Sequence, residues 1–364
     1  MKNILFLSNT RLDNPIRGTP LRICSILRQI AKKHTLWVCV ATISEEFKPL
    51  FVPYPAGGVI ARVCRLRQLI REHRIEWVMT STEIGITVPV ILKILCGVRI
   101  AMDLHGLMHE ERYAVGKISR AQYWYTYLKT YALLSFYDEV FPVTESLSQY
   151  YAWASRGKWR TIYGGVVPTH SDMPMEPVGN VFVIGYMGNA RTYQGLQYIL
   201  DATVVLRHRN IPVHLNLIIS DITTEVTSLL EKRGLLYISA VHSNVSHDEA
   251  RSLILKSNVL AITRPAIPVT QYAFPSKLPE YLETGIPLIV TEVGPITELR
   301  PEIAEHCIII GHENITSDLT AALIRIHSMS PETRKDFGKK AREYAIRTFN
   351  WDLFGGVLND ALDH

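Results

Sequence analysis

Two parallel-sheet α/β units, each Rossmann-like, are the fold this sequence predicts, and three observations predict it. Short apolar runs of strand type alternate with amphipathic helical stretches along the whole chain. The alternation restarts after a Pro- and Gly-rich stretch, YGGVVPTHSDMPMEPVGN, at positions 163–180. At 364 residues the chain also exceeds the usual size of one hydrophobic core.

The first unit opens with the buried strand ILFLSN (4–9) and a helix over about 20–33. Leu21, Ile23, Cys24, Ile26, Leu27 and Ile30 give that helix its apolar face. The strand TLWVCVAT (35–42), an amphipathic helix over 63–73 and the strand WVMTS (77–81) follow. Next come a helix over 88–95, the strand VRIAMDL (98–104), an aromatic-rich helix over 119–135 and the strand EVFPVT (139–144). The second unit begins at VFVIGYMG (181–188), with a helix over 196–209. HLNLIIS, LLYISAV, NVLAIT, PLIVTE and CIIIG read as its further strands. A helix before Phe349 and the amphipathic NWDLFGGVLNDALD close the chain.

Composition narrows the function. Hydrophobic content of 47% with 20% charged residues is ordinary for a soluble globular protein. The net charge of +5 comes without a dense Lys/Arg tract, so nucleic acid is not an expected partner. Mild basicity fits anionic small molecules or an acidic membrane face. The 5 cysteines are scattered and form no CxxC pair, which suggests buried free thiols in a reducing compartment. MKNILFLSNT is too short an apolar run for a signal peptide, and Lys93 and Arg99 interrupt the longest apolar region at 88–102. A cytoplasmic protein, with peripheral contact at the inner face of the membrane, is the expectation.

Open parallel sheets bind ligands beyond the C-terminal ends of their strands, which directs attention to the loops at 10–19, 82–85, 105–112, 188–195, 264–276 and 294–298. The richest segment is FPSKLPEYLETGIPLIVTEVGPITEL (274–299). Ser276 suits a helix cap, Pro279 a first turn, Gly285 a left-handed C′ position, and LIVT a buried strand. A helix N-terminus beside Lys277 suits a phosphate. One turn on, the Glu280 carboxylate is placed to accept from vicinal hydroxyls, and phosphate plus ribose suggests a nucleotide. The plain alternative is a capped helix with a solvated Lys and Glu.

GNARTYQG (188–195) offers a close-approach glycine, Gly188, with Asn189, Arg191 and Gln194 as polar contacts. Arg191 is suited to hold a diphosphate bidentately, while a polar strand-to-helix loop is the alternative. In DLHGLMHEER (103–112), His105 stands where a substrate contact would; His105, His109 and Glu110 make no HExxH, so no metal is expected. In RGTPLR (17–22), Gly18 opens a helix with Thr19 as N-cap and Pro20 at the first helical position. The aromatic residues Tyr123, Trp124, Tyr125, Tyr127, Tyr131, Phe136 and Tyr137, beside Lys129, fit core packing by spacing, or a membrane-surface helix by composition. No GxSxG elbow, P-loop or GxGxxG is present, so hydrolase, kinase and dehydrogenase readings lack support.

Together these pieces resemble the retaining GT-B glycosyltransferases of the group-1, or family 4, type, over nearly the whole chain and most specifically over 185–298. The pairing of GN…QG with PSK…EYL looks closest to the N-acetylamino-sugar transferases of bacterial polysaccharide synthesis. In that family an E-x7-E motif places its second glutamate on the donor ribose; Glu280 matches it, while Tyr272 stands at the first position. Asn189 and Gln194 stand where the family usually has Arg and Lys on the donor diphosphate. His105 matches a histidine that contacts the transferred sugar, and Gly18 and Thr19 match a Gly-rich loop near the donor phosphate. Glu298 matches an acidic position after the family's GG or GP turn, and NWDLF resembles its C-terminal crossing helix.

The resemblance implies an acceptor domain over 1–165, a donor domain over 166–342 and a crossing helix over 343–364, with a cleft between the Rossmann-like domains. It implies transfer of a sugar from a nucleotide-diphosphate sugar to a hydroxyl of a glycan, lipid-linked or small-molecule acceptor, with retention and without metal or cofactor. His105, Arg191, Lys277 and Glu280 are then the catalytic set. Gly18, Thr19, Gly188, Asn189, Gln194, Tyr272, Ser276 and Leu278 are the donor-binding set. The departures at Tyr272, Asn189 and Gln194 leave a second reading, a catalytically silent GT-B protein that binds a nucleotide sugar or a partner subunit.

Overall fold

The computed structural model describes residues 1–13, 18–81, 86–154, 157–168, 181–220 and 223–364. The expected loop at 82–85, Arg17 and the 169–180 part of the Pro/Gly-rich stretch lie outside the described residues. The chain divides into two compact units. One holds Met1–Gly164, Tyr272–Phe274 and Trp351–His364, the other Gly165–Gln271 and Pro275–Asn350.

The strands of the first unit are β1 Asn3–Leu7, β2 Arg11–Leu12, β3 Thr35–Val40, β4 Thr42–Ile43, β5 Phe51–Pro53, β6 Trp77–Ser81, β7 Arg99–Leu104, β8 Glu139–Pro142 and β9 Lys158–Trp159. Seven form one sheet in the order β5-β3-β1-β6-β7-β8-β9, every pair parallel, while β2 and β4 pair separately. The chain therefore starts mid-sheet, runs to one edge, then crosses back and fills the other side. That doubly wound order creates a switch point at the C-terminal ends of β1 and β6, where binding loops gather. Every residue of β6 is buried, as expected of a strand covered on both faces. The helices Val59–Glu72, Thr87–Cys96 and Arg120–Leu134 bury Leu66, Leu92 and Leu134 in one core with Leu5, Val78 and Ile100.

The closing helix Trp351–Asp363 packs on the helix Gly18–Ala31 within this unit. Asn359 Nδ2 donates to the Gln29 carbonyl at 3.1 Å, and Gln29 Nε2 donates to Asp352 at 3.1 Å.

The second unit has β10 Phe182–Gly188, β11 Val213–Ile219, β12 Ser239–Ser243, β13 Val259–Ile262, β14 Leu288–Thr291 and β15 Ile308–Ile310. Their order, β12-β11-β10-β13-β14-β15 with all pairs parallel, repeats the same winding. Its core joins Ile184, Leu215, Leu217 and Ile289 to Leu196, Leu200 and Leu323 from the helices Leu196–His208 and Ile315–His327.

Several local expectations change. LLYISAV is not one strand: Leu236–Ile238 is a 3-10 turn and only Ser239–Ser243 is extended. The first helix already begins at Gly18, so Thr19 and Pro20 lie inside its first turn rather than at N-cap and first position. Met108–Ala114 is helical where a loop was expected. All five cysteines are free; Cys24, Cys39 and Cys307 are buried, but Cys64 is exposed. Burial pushes the Cys39 and Cys307 thiols up to about 12 and Cys24 to about 11, so they behave as inert core residues. Among the described residues, no helix is long and apolar enough to cross a membrane.

Candidate functional site

In the second unit the sequence-predicted residues converge where β10 ends. Gly188 closes that strand with φ +150, and a Cβ there would overlap Lys277 Nζ and lie 2.6 Å from Lys277 Cε. The missing side chain is what lets the lysine lie across the strand end. Lys277 Nζ donates to Gln194 Oε1 at 3.2 Å and to Tyr186 Oη at 3.3 Å, and stands 4.3 Å from the Tyr186 ring centroid. Tyr186 is fully buried and its hydroxyl donates to the Asn189 carbonyl at 2.5 Å. Gly188, Asn189, Gln194 and Lys277 thus form one arrangement, with the ammonium aligned by an amide oxygen and an aromatic face.

The helix Lys277–Thr284 is fixed to the strand end by a side chain that the sequence reading passed over. Tyr281 is fully buried; its hydroxyl accepts from the Met187 amide at 2.7 Å and donates to the Met187 carbonyl at 3.1 Å. Burial pushes its phenol well above the ordinary tyrosine range, which keeps it neutral. Glu280, its neighbour, is half-buried and lines a small cavity with Met187, His247, Arg251, Ile254, Tyr281 and Thr284. On the next turn Glu283 is buried between Arg251 at 2.6 Å and Arg342 at 3.3 Å.

Ser276 sits at the N-cap position in helical conformation, φ −54 and ψ −24, and its side chain makes no cap hydrogen bond. The cap expectation therefore fails: side-chain capping needs extended backbone at that residue. Instead the Leu278 amide donates to the Pro275 carbonyl at 2.8 Å, and the Leu278 side chain is in the core. Gly285 ends the helix in the left-handed conformation, φ 72, as expected.

The loop after Gly188 is rigidly seated at its far end. Gly195 has φ 78, and a Cβ there would overlap the Thr263 carbonyl oxygen and lie 2.6 Å from its carbon. Thr263 Oγ1 donates back to the Gly195 carbonyl at 2.8 Å. Between these glycines Arg191 is exposed; its amide donates to Asn189 Oδ1 at 3.2 Å and its Nη1 to Tyr193 Oη at 3.2 Å.

In the first unit His105 follows β7, and its Nε2 pairs with Asp103 Oδ2. Asp103 is fully buried and also receives Arg22, whose Nη2 lies 2.7 Å and Nε 3.1 Å from Oδ1. Arg22 further donates to the carbonyls of Ile162 at 2.8 Å and Tyr163 at 2.9 Å. Burial alone would raise the Asp103 pKa; Arg22 and His105 outweigh it and hold the carboxyl well below the usual range. The ionised carboxylate orients the imidazole through Nε2. Sequence reasoning assigned no role to Asp103 or Arg22; the local signal for Asp103 is its place two residues before His105 in the DLH run.

Gly18 has φ 56, and among the described residues no atom beyond its own stretch of chain lies within 4 Å of where its Cβ would stand; Thr19 beside it is half-buried. Tyr272 belongs to the first unit, its ring 4.8 Å from that of Tyr150 and its carbonyl accepting from Thr144 Oγ1 at 3.2 Å. His109 is buried among the rings of Tyr123 and Tyr127, and burial lowers its pKa.

No protein-family model matches the chain, and no curated protein matches its sequence. Solved structures do. Sucrose-phosphate synthase from Thermosynechococcus elongatus matches with a TM-score of 0.77 at 16% identity, over 100% of this chain and 98% of that one. A glycosyltransferase from Rickettsia africae matches at 0.78 and 14%, over 100% and 99%. Anabaena HepE, solved in complex with UDP and glucose, matches at 0.76 and 15%, over 100% of both chains. Two doubly wound parallel sheets and full-length likeness to these structures identify the fold as the two-domain, Rossmann-like GT-B fold.

Proposed function

We propose that this protein is a retaining glycosyltransferase that moves a sugar from a nucleotide-diphosphate sugar to an acceptor hydroxyl in glycan or cell-envelope polysaccharide synthesis. The observation that carries the reading is the Lys277 ammonium laid over Gly188 and aligned by Gln194 and Tyr186. A fixed cation at the C-terminal end of a central parallel strand suits the diphosphate of a donor. Arg191, exposed on the adjoining loop, supplies the second cation, and Glu280, one turn along the helix, the ribose contact. In this reading Ser276 and the Leu278 backbone are the donor loop's further contacts, while Gly18, Thr19 and Tyr272 are those assigned to the first unit. His105, oriented by Asp103, contacts the transferred sugar. UDP is the first nucleotide to try, because the Anabaena neighbour binds it. The N-acetylamino-sugar class follows from the GN…QG and PSK…EYL pattern.

In this mechanism the departing diphosphate takes the acceptor proton on the face it leaves, so the anomeric configuration is kept without a protein nucleophile. Lys277 and Arg191 stabilise the charge that grows on the leaving oxygens. Titration with UDP, then assay of transfer from UDP-sugars, tests the reading. Binding weakened at least tenfold by Lys277→Ala and by Glu280→Ala, with transfer lost in both, is the expected result. Transfer that survives both substitutions would overturn it, and binding without any transfer would point to the silent subunit.

A further inference from the structure

The helix Arg120–Leu134 divides its aromatic residues between two faces. Tyr123, Tyr127 and Tyr131 turn inward: Tyr123 donates to Glu110 at 2.6 Å, Tyr127 packs on Tyr150, and Tyr131 packs against the core. Trp124, Tyr125 and Leu128 are 50%, 65% and 60% exposed. With the exposed Ala121 and Ala132 they recur at i, i+3, i+4, i+7 and i+11, one continuous apolar stripe on the solvent side. Core packing therefore accounts for only part of the aromatic pattern.

The stripe does not stand alone. The turn Ala152–Ala154, which packs beside this helix, carries Trp153 at 89% exposure. Lys93 of the helix Thr87–Cys96 donates to the Phe136 carbonyl at 2.8 Å, which ties the end of the helix Arg120–Leu134 to one that exposes Ile94 and Leu95; Phe136 is exposed as well. These helices and Val59–Glu72, with exposed Ile60, bury their inner faces in one core and so form one layer. Glu72 is the one carboxylate across the three helices, against Arg62, Arg65, Arg67, Arg71, Arg120 and Lys129; Lys93 is already paired with Asp138 at 2.8 Å.

We infer that this layer docks the first unit onto an anionic lipid bilayer, lying in the interface without crossing it. Trp and Tyr beside aliphatic side chains suit the boundary between headgroups and acyl chains, and the cations supply attraction to acidic headgroups. A second copy of the chain fits less well, because a two-fold contact would set Arg120, Lys129 and the helix Val59–Glu72 arginines against their own counterparts. The inference stands apart from the proposed transfer reaction.

Co-sedimentation of the full chain with vesicles tests it, comparing pure phosphatidylcholine with phosphatidylcholine containing phosphatidylglycerol. We expect at least tenfold stronger binding to the anionic vesicles, weakened by salt. Trp124→Ser, Tyr125→Ser and Leu128→Ser combined should lower it about tenfold while leaving the circular dichroism spectrum unchanged; Arg120→Glu with Lys129→Glu should abolish the preference for anionic lipid. No vesicle binding, or binding unmoved by both variants, would overturn the inference. So would a concentration-dependent dimer in sedimentation velocity that the triple variant dissolves.

Discussion

The Lys277 ammonium occupies the space that a side chain on Gly188 would fill. Substituting Gly188→Ala therefore has two effects. The backbone at φ +150 is strained by a Cβ, costing about 1–3 kcal/mol, and the methyl displaces Nζ from Gln194 and Tyr186. Because the obstructing atoms are the flexible tip of a lysine, the fold should survive with a lowered Tm. UDP affinity, measured by calorimetry, should fall about tenfold. Unchanged affinity would mean that the lysine's position is immaterial to binding.

Tyr281→Phe removes one hydroxyl and two hydrogen bonds. The Met187 amide and carbonyl lose a buried partner, a cost of about 1–3 kcal/mol to stability. The same hydroxyl ties the helix Lys277–Thr284 to the end of β10, so donor affinity should fall along with Tm. Denaturant unfolding and UDP titration on one preparation check both. A variant as stable as the parent would show that water replaces the hydroxyl fully.

The winding of both sheets was legible because parallel strands buried on two faces read as unbroken apolar runs, as in LIVT and WVMTS. The short edge strands β5 and β9 lack such runs, and LLYISAV mixes a turn with a strand that has no buried residue. That Gly188, Lys277 and Gln194 gather at the end of β10 was legible because loops after strands announce themselves through glycine and charge. Tyr281 and Arg22 were not, since their roles rest on partners far along the chain: Met187 lies 94 residues from Tyr281, and Asp103 lies 81 from Arg22. Ser276 misled because a capping residue type says nothing of the backbone angles that capping requires.

Gly338 offers a test in which propensity and packing disagree. It lies inside the helix Pro331–Thr348, where Ala normally stabilises by about 0.5–1 kcal/mol over Gly. Here a Cβ would overlap the Gly285 carbonyl oxygen and lie 2.6 Å from its carbon, at the crossing with the helix Lys277–Thr284. Rigid backbone cannot step aside, so Gly338→Ala should destabilise by about 1–3 kcal/mol, the range for overpacking. A raised Tm would mean that the two helices do not cross there.

The Arg22–Asp103–His105 network carries a pH signature. The folded pKa of Asp103 lies below the unfolded value of about 3.9. As pH falls, the unfolded chain takes up this proton first, so the carboxylate's stabilisation is full above the unfolded value and is lost as pH drops towards the folded one. Asp103→Asn removes that dependence and leaves the Arg22 guanidinium, 10% exposed, without its buried counter-charge. At neutral pH the variant should be about 3–5 kcal/mol less stable, the range for breaking a buried pair. Urea unfolding from pH 6 down towards pH 2 should show the gap narrowing below about pH 4, as the parent loses what the variant never had. A gap of constant size across that range would remove Asp103 as the ionised centre of the network.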